Sequence, residues 1–159
     1  MSIDFSLKDA PPSRASEFAL AFALLGAVRD EAAALGAPFA VFSVPPRFLV
    51  EPENGARLLR VYDLPEDAFD VDGFRRVREA CEARGIPFVD LLPGFRREAS
   101  AGARLFLPTS IHWTAAGHDA AARLLAPAVR SGLPDVSARS PVPGAPPAAA
   151  APGSSASAP

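Results

Sequence analysis

The chain is predicted to fold as an α/β domain with a parallel sheet. Helical and extended segments alternate along it. The two extended runs, Pro38 to Val44 and Ile86 to Leu92, are apolar without strict alternation, as in strands covered on both faces. Each run also follows a helical pattern that stops at a glycine, Gly36 in the first and Gly85 in the second, where a left-handed C-terminal cap is favoured. Helix followed by parallel strand, repeated, calls for helices packed on the faces of one sheet.

Residues 1–15 are polar with Pro11-Pro12, an irregular lead-in, and Ser13 or Ser16 is placed to cap the helix that follows. Helix one is expected from Ser16 to Leu35. Its apolar run, Phe18 to Val28, is too short to span a bilayer, which needs about 20 residues. The mixed charges before it (Lys8, Arg14, Asp4, Asp9, Glu17) suit a buried α/β helix better than a signal peptide. The first strand is closed by Pro45-Pro46. Residues 47–69 read as an excursion above the sheet, with Phe48-Leu49-Val50 and Leu58 to Leu64 as short ordered pieces.

Asp70 or Asp72 is placed to cap a second helix, Gly73 to Arg84. The second strand is broken by Pro93-Gly94, and Phe95 to Ala101 reads as a short helix or turn. Leu105-Phe106-Leu107 is a brief extended piece, and helix three is expected from Thr114 to about Val129. From Ala138 the chain is almost wholly Ser, Ala, Pro and Gly. With nothing large to bury, residues 138–159 are expected to form a disordered tail, so the folded domain is expected over 16–133.

Composition narrows function more by exclusion. A hydrophobic content of 49% with 21% charged residues fits a globular core. A net charge of −2 gives no electrostatic basis for binding nucleic acid or an anionic membrane. Cys81 is the only cysteine, so an intrachain disulfide and a multi-cysteine metal site are excluded, and in its helical pattern it reads as a small buried apolar residue. His118 stands six residues after His112, not the three or four that put two ligands on one helical face, and reads as a packing or capping residue in the first helical turn; no metal or cofactor is expected. Neither the compartment nor a targeting signal can be read.

Chemistry concentrates at His112. It lies between an extended piece and a helix N-terminus, late in an α/β chain, where a histidine can reach substrate as a general base or sit as a hydrogen-bonded loop residue. Trp113 beside it can wall the ring from water. Asp90 ends a strand at the carboxyl edge of the sheet, where it can cap the following turn or orient a neighbour. Ser43 is flanked by Phe42 and Val44, not by the small residues a nucleophile elbow needs, and reads as a buried strand serine.

The block Ser110-Ile111-His112-Trp113-Thr114-Ala115-Ala116-Gly117-His118 resembles the last block of the SGNH (GDSL-type) hydrolase superfamily, in the branch that reads D-x-H-W-T/N-x-x-G-H. Two further stretches, GIPFVDLLPGFRREASAGARLF and PFAVFSVPP, resemble the approach to that block and an earlier strand, so the similarity spans residues 16 to 130. The resemblance implies a flavodoxin-like three-layer α/β/α fold and chemistry on O-acyl esters, with a carbohydrate among the candidate carriers. It implies a Ser-His-Asp triad in which His112 is the general base. The family's acid falls at Ser110 or Thr109, and its Gly-Asp-Ser nucleophile occurs nowhere in the chain. Because the family's first strands precede helix one, the sheet is expected to be incomplete on its N-terminal side, leaving an edge through which the domain can associate. Two functions follow as expectations. One is an esterase or acyltransferase-like domain that is inactive as given, for want of a nucleophile. The other is a non-catalytic binding module on the same scaffold, with Trp113 against an acyl-ester or glycan ligand.

Overall fold

The computed structural model describes residues 7, 14–70 and 74–132. Ser13 and Asp72 as caps, most of the lead-in and the tail from 138 lie outside the described residues. Among the described residues, six helices and two short strands follow in the order α1 (Arg14–Ala34), β1 (Val41–Phe42), α2 (Arg47–Val50), α3 (Pro52–Val61), α4 (Arg75–Glu82), β2 (Phe88–Val89), α5 (Leu92–Ser100), α6 (Ala115–Gly132). β1 and β2 pair in parallel, Val41 opposite Phe88 and Phe42 opposite Val89. The chain is therefore α/β, with a two-stranded parallel sheet among the described residues.

Both helix-to-strand joints form as expected from their glycines. Gly36 and Gly85 have φ of +65° and +64°, a conformation that a Cβ disfavours. In each the chain then doubles back on the helix end: the Ala37 amide donates to Ala32 and the Ile86 amide to Cys81. This reversal feeds both strands into the sheet in the same direction.

The excursion after β1 is helical. α2 is a single turn whose Phe48, Leu49 and Val50 are all buried, and α3 follows with Pro52 in its first turn, where a missing amide proton costs nothing. Pro93-Gly94 likewise opens α5 rather than merely ending a strand. The N-cap of α4 is Phe74, without a side-chain cap hydrogen bond, and Ser16 lies inside α1 rather than ahead of it.

The core gathers where α2, α5 and α6 meet beyond the end of β2. Phe95 and Leu91 are fully enclosed, with Leu105, Phe106 and Ala120 beside them. The Phe48 and Phe69 rings meet tilted, 4.7 Å apart, and Leu7 bridges to Phe69. Helix α6 contains Pro127, which has no amide proton to donate to the Arg123 carbonyl one turn earlier.

Helix α1 corrects the expectation of a buried helix. It meets α4 through its rings: Arg76 lies over Phe18 at 5.5 Å and Arg84 over Phe22 at 5.9 Å. Arg29 adds a hydrogen bond to the Arg84 carbonyl at 2.6 Å. On the far side, Leu20, Leu24 and Val28 are 63%, 57% and 52% exposed. An all-round apolar helix is built for cover on more than one side, and among the described residues α1 has less than that. Phe42 and Val44, beside the sheet, are exposed too.

Candidate functional site

The loop carrying His112 is a narrow hairpin. Phe106 and Trp113 form an antiparallel bridge, the Thr114 amide donates to the Leu105 carbonyl at 3.0 Å, and the Leu107 amide donates to the His112 carbonyl at 2.9 Å. A turn from Leu107 to Ser110, closed by the Ser110 amide on the Leu107 carbonyl at 3.2 Å, occupies its tip. Pro108 supplies the fixed φ that suits the second position of such a turn.

The residues after His112 hold this hairpin onto α6. Thr114 caps the helix, accepting the Gly117 amide on Oγ1 at 3.2 Å and donating the same hydroxyl to the Arg104 carbonyl at 2.6 Å. Gly117 brings α6 against the hairpin, and a Cβ there would lie 2.3 Å from the Leu105 carbonyl oxygen. The Trp113 ring, half-buried, tilts onto Phe95 at 5.0 Å and meets the His118 ring edge-on at 5.4 Å. His118, itself exposed, thus contacts Trp113 from the first turn of α6. Trp113, Thr114, Gly117 and His118 meet in this way at one junction between the hairpin and α6.

His112 itself is exposed. Its Nδ1 lies 2.5 Å from Ser110 Oγ, and its backbone amide donates to the same oxygen at 3.2 Å. Ser110 Oγ is therefore the hydrogen-bond partner of the imidazole Nδ1, while Thr109 is exposed one residue earlier. The chemistry differs from that of a carboxylate. A carboxylate only accepts, so it obliges Nδ1 to carry the proton and frees Nε2 to act as a base. A hydroxyl can accept or donate. Ser110 Oγ already accepts the His112 amide, which favours giving its own proton to Nδ1. With the hydroxyl proton given to Nδ1, the neutral imidazole carries its own proton on Nε2; with the proton on Nδ1, Ser110 Oγ accepts it.

A groove of about 540 Å³ runs beside the loop, between its tip and α3. Ser110, Ile111, Asn54, Arg57 and Tyr62 are among its lining residues. Sequence reasoning missed the α3 members, because an excursion read as mixed has no face to assign. It also missed Arg47, whose guanidinium donates to the carbonyls of Leu107 and Pro108 at 3.0 and 2.8 Å; a lone cation after two prolines carries no such signal.

Ser43 and Asp90 meet at the carboxyl edge of the sheet, apart from His112 in their hydrogen bonding. The Ser43 hydroxyl donates to Asp90 Oδ1 at 3.0 Å and accepts the Leu91 amide at 2.8 Å. Asp90 Oδ1 also caps the Leu92 amide at 3.0 Å, and Oδ2 receives Arg78 at 2.8 Å. Ser43 is 3% exposed. This network ties the strand ends to α4 and α5, and it leaves Ser43 no free hydroxyl to attack with.

Cys81 is buried, and burial pushes its thiol up from the ordinary value, opposed by the nearby Arg84 charge. It is expected to resist iodoacetamide in the native protein at neutral pH and to react once the chain is denatured; rapid native labelling would place the thiol at the surface. Among the described residues there is no cluster of three or more His, Cys, Asp or Glu that could hold a metal, and no helix long and apolar enough to cross a membrane.

A family model described as an SGNH hydrolase-like domain, acetyltransferase AlgX, matches residues 6–153. No curated protein and no solved structure matches the chain.

Proposed function

The chain belongs to the SGNH hydrolase-like domain family of the acetyltransferase AlgX, and from that premise we propose that it recognises O-acyl esters without completing a serine triad from its own residues. The observation that carries this reading is the Ser110–His112 pair. The imidazole stands on the loop that the family uses, and a hydroxyl takes the place of the orienting acid. Nε2–H is then suited to donate to an ester or carbonyl oxygen rather than to strip a proton from a nucleophile.

In this reading the groove beside the loop receives the carrier of the acyl group. Tyr62 offers an exposed ring face, and Asn54 and Arg57 offer hydrogen bonds to hydroxyls, which fits a carbohydrate carrier. Trp113, expected to face the ligand, also anchors the hairpin through Phe95 and His118, and its half-buried ring remains available to a ligand. β1 and β2 are two strands of a wider three-layer, flavodoxin-like sheet, and the exposed Phe42 and Val44 mark the side on which it associates.

The test combines two assays on the full chain. Hydrolysis of a chromogenic acetyl ester should stay at the buffer rate, and a serine-reactive phosphonate should label nothing. An O-acetylated oligosaccharide panel should bind more tightly than its deacetylated counterparts, and His112→Ala should abolish the difference. Turnover that the phosphonate blocks would overturn the absence of a working nucleophile. Equal affinity for acetylated and deacetylated sugars would overturn the ester-binding role.

A further inference from the structure

We propose that Arg47 is a positioning residue for His112, acting across the molecule through the turn at the tip of the hairpin. This inference rests on the reading of His112 as the ligand-facing group. Arg47 begins α2, whose next three residues are all buried in the core, so its backbone is fixed to the interior. Its side chain is only 23% exposed. Nε pairs with Glu51 Oε2 one turn on at 2.5 Å, which sets the plane of the guanidinium. The opposite side of the group then meets two successive carbonyls, Leu107 at 3.0 Å and Pro108 at 2.8 Å.

Those carbonyls belong to the turn that places Ser110. The Leu107 carbonyl receives both Arg47 and the Ser110 amide, and the Leu107 amide holds the His112 carbonyl. Ser110 Oγ then contacts Nδ1. The chain of contacts runs from Glu51 to Arg47, to the turn, to Ser110 and to the imidazole. An exposed loop would otherwise leave these carbonyls to water and the turn free to open. A charge-assisted bond from a core-anchored cation is stronger than a neutral one and holds the turn in one register.

The geometry asks for arginine in particular. A planar fork can satisfy a carboxylate on one edge and two carbonyls on another, whereas a lysine ammonium is a single point at the end of a flexible stem. Arg47→Lys should keep the charge and still lose the placement.

Nitrogen NMR of the histidine rings in the full chain tests this, because it reads the Ser110–His112 bond without any ligand or turnover. Ser110→Ala should move the His112 Nδ1 resonance to that of an unbonded ring. Arg47→Gln and Arg47→Lys should both move it most of the way there, while the His118 resonances, on the far side of Trp113, stay in place. A merely structural defect would move both histidines together. His112 signals in Arg47→Gln that coincide with wild type while Ser110→Ala shifts them would overturn the proposal, as would a Ser110→Ala variant that shifts nothing. If Arg47→Gln does not fold, Glu51→Gln provides the second variant. It releases the guanidinium plane and should shift Nδ1 in the same direction by less, and an unmoved His112 in both Glu51→Gln and Arg47→Lys would also overturn it. Failure here leaves acyl-ester binding to the sugar panel, and failure there leaves the nitrogen shifts unaffected.

Discussion

Phe95→Ala is expected to lower stability by about 3–5 kcal/mol, the range for an aromatic ring removed from a closed core. Phe95 is fully enclosed on α5 and lies beneath the hairpin, 6.2 Å from the Phe106 ring and 5.0 Å from Trp113. Those two neighbours form the bridge at the hairpin base. The cavity would thus lie under the loop that carries His112, and the ring contacts themselves are worth roughly 0.5–1.5 kcal/mol each beyond burial. Against the roughly 5–15 kcal/mol that domains have in total, this is a large share. Urea unfolding should show a lower midpoint with an unchanged slope, and Phe95→Leu should fall between. A loss below about 1 kcal/mol would mean that α5 and the hairpin do not close on this ring.

Gly117→Ala is expected to destabilise although alanine is the better helix former by about 1 kcal/mol. The new Cβ would stand 2.3 Å from the Leu105 carbonyl oxygen and 2.9 Å from Trp113 Cβ. Neither can swing aside: one is backbone, and the other sits at the root of a packed side chain. α6 must lift from the hairpin, at an expected cost of about 2–3 kcal/mol, the upper range for overpacking. Gly94→Ala is the control. Its Cβ would meet the methyl ends of Leu124, with Leu124 Cδ1 at 2.5 Å, and a leucine end can rotate away. Thermal unfolding should therefore separate the two variants widely. Equal midpoints would show that the α6 contact yields as readily as a leucine rotamer.

The sequence made some of this legible and hid the rest for reasons that differ by residue. Gly36 and Gly85 announce themselves because a positive φ is costly for almost any other residue, so both joints were readable. The order of elements followed from them. The strands proved shorter than their apolar runs, since backbone pairing covers only Val41–Phe42 and Phe88–Val89 while the side chains around them are there to pack. α2 and the start of α5 were hidden by prolines read as breakers, when a proline in the first helical turn is well tolerated. At the site, the local half was visible: His112, the turn before it and the small-residue junction after it lie within one stretch of chain. The distant half was not. Arg47 reaches a carbonyl 60 residues away, and a backbone acceptor leaves no mark on the residue type that carries it.

Pro127 divides the last helix into two mechanical parts. Ahead of it, α6 has its cap on Thr114, its close contact at Gly117 and its buried Ala120 and Ala121. Beyond it, the ladder has lost the bond to the Arg123 carbonyl, and Val129 is 49% exposed. Amide protons in the two parts should then exchange with solvent through different openings, the distal turn by local fraying and the proximal turns only when the core itself comes apart. Fraying confined to the distal turn would then leave the hairpin that presents His112 in place.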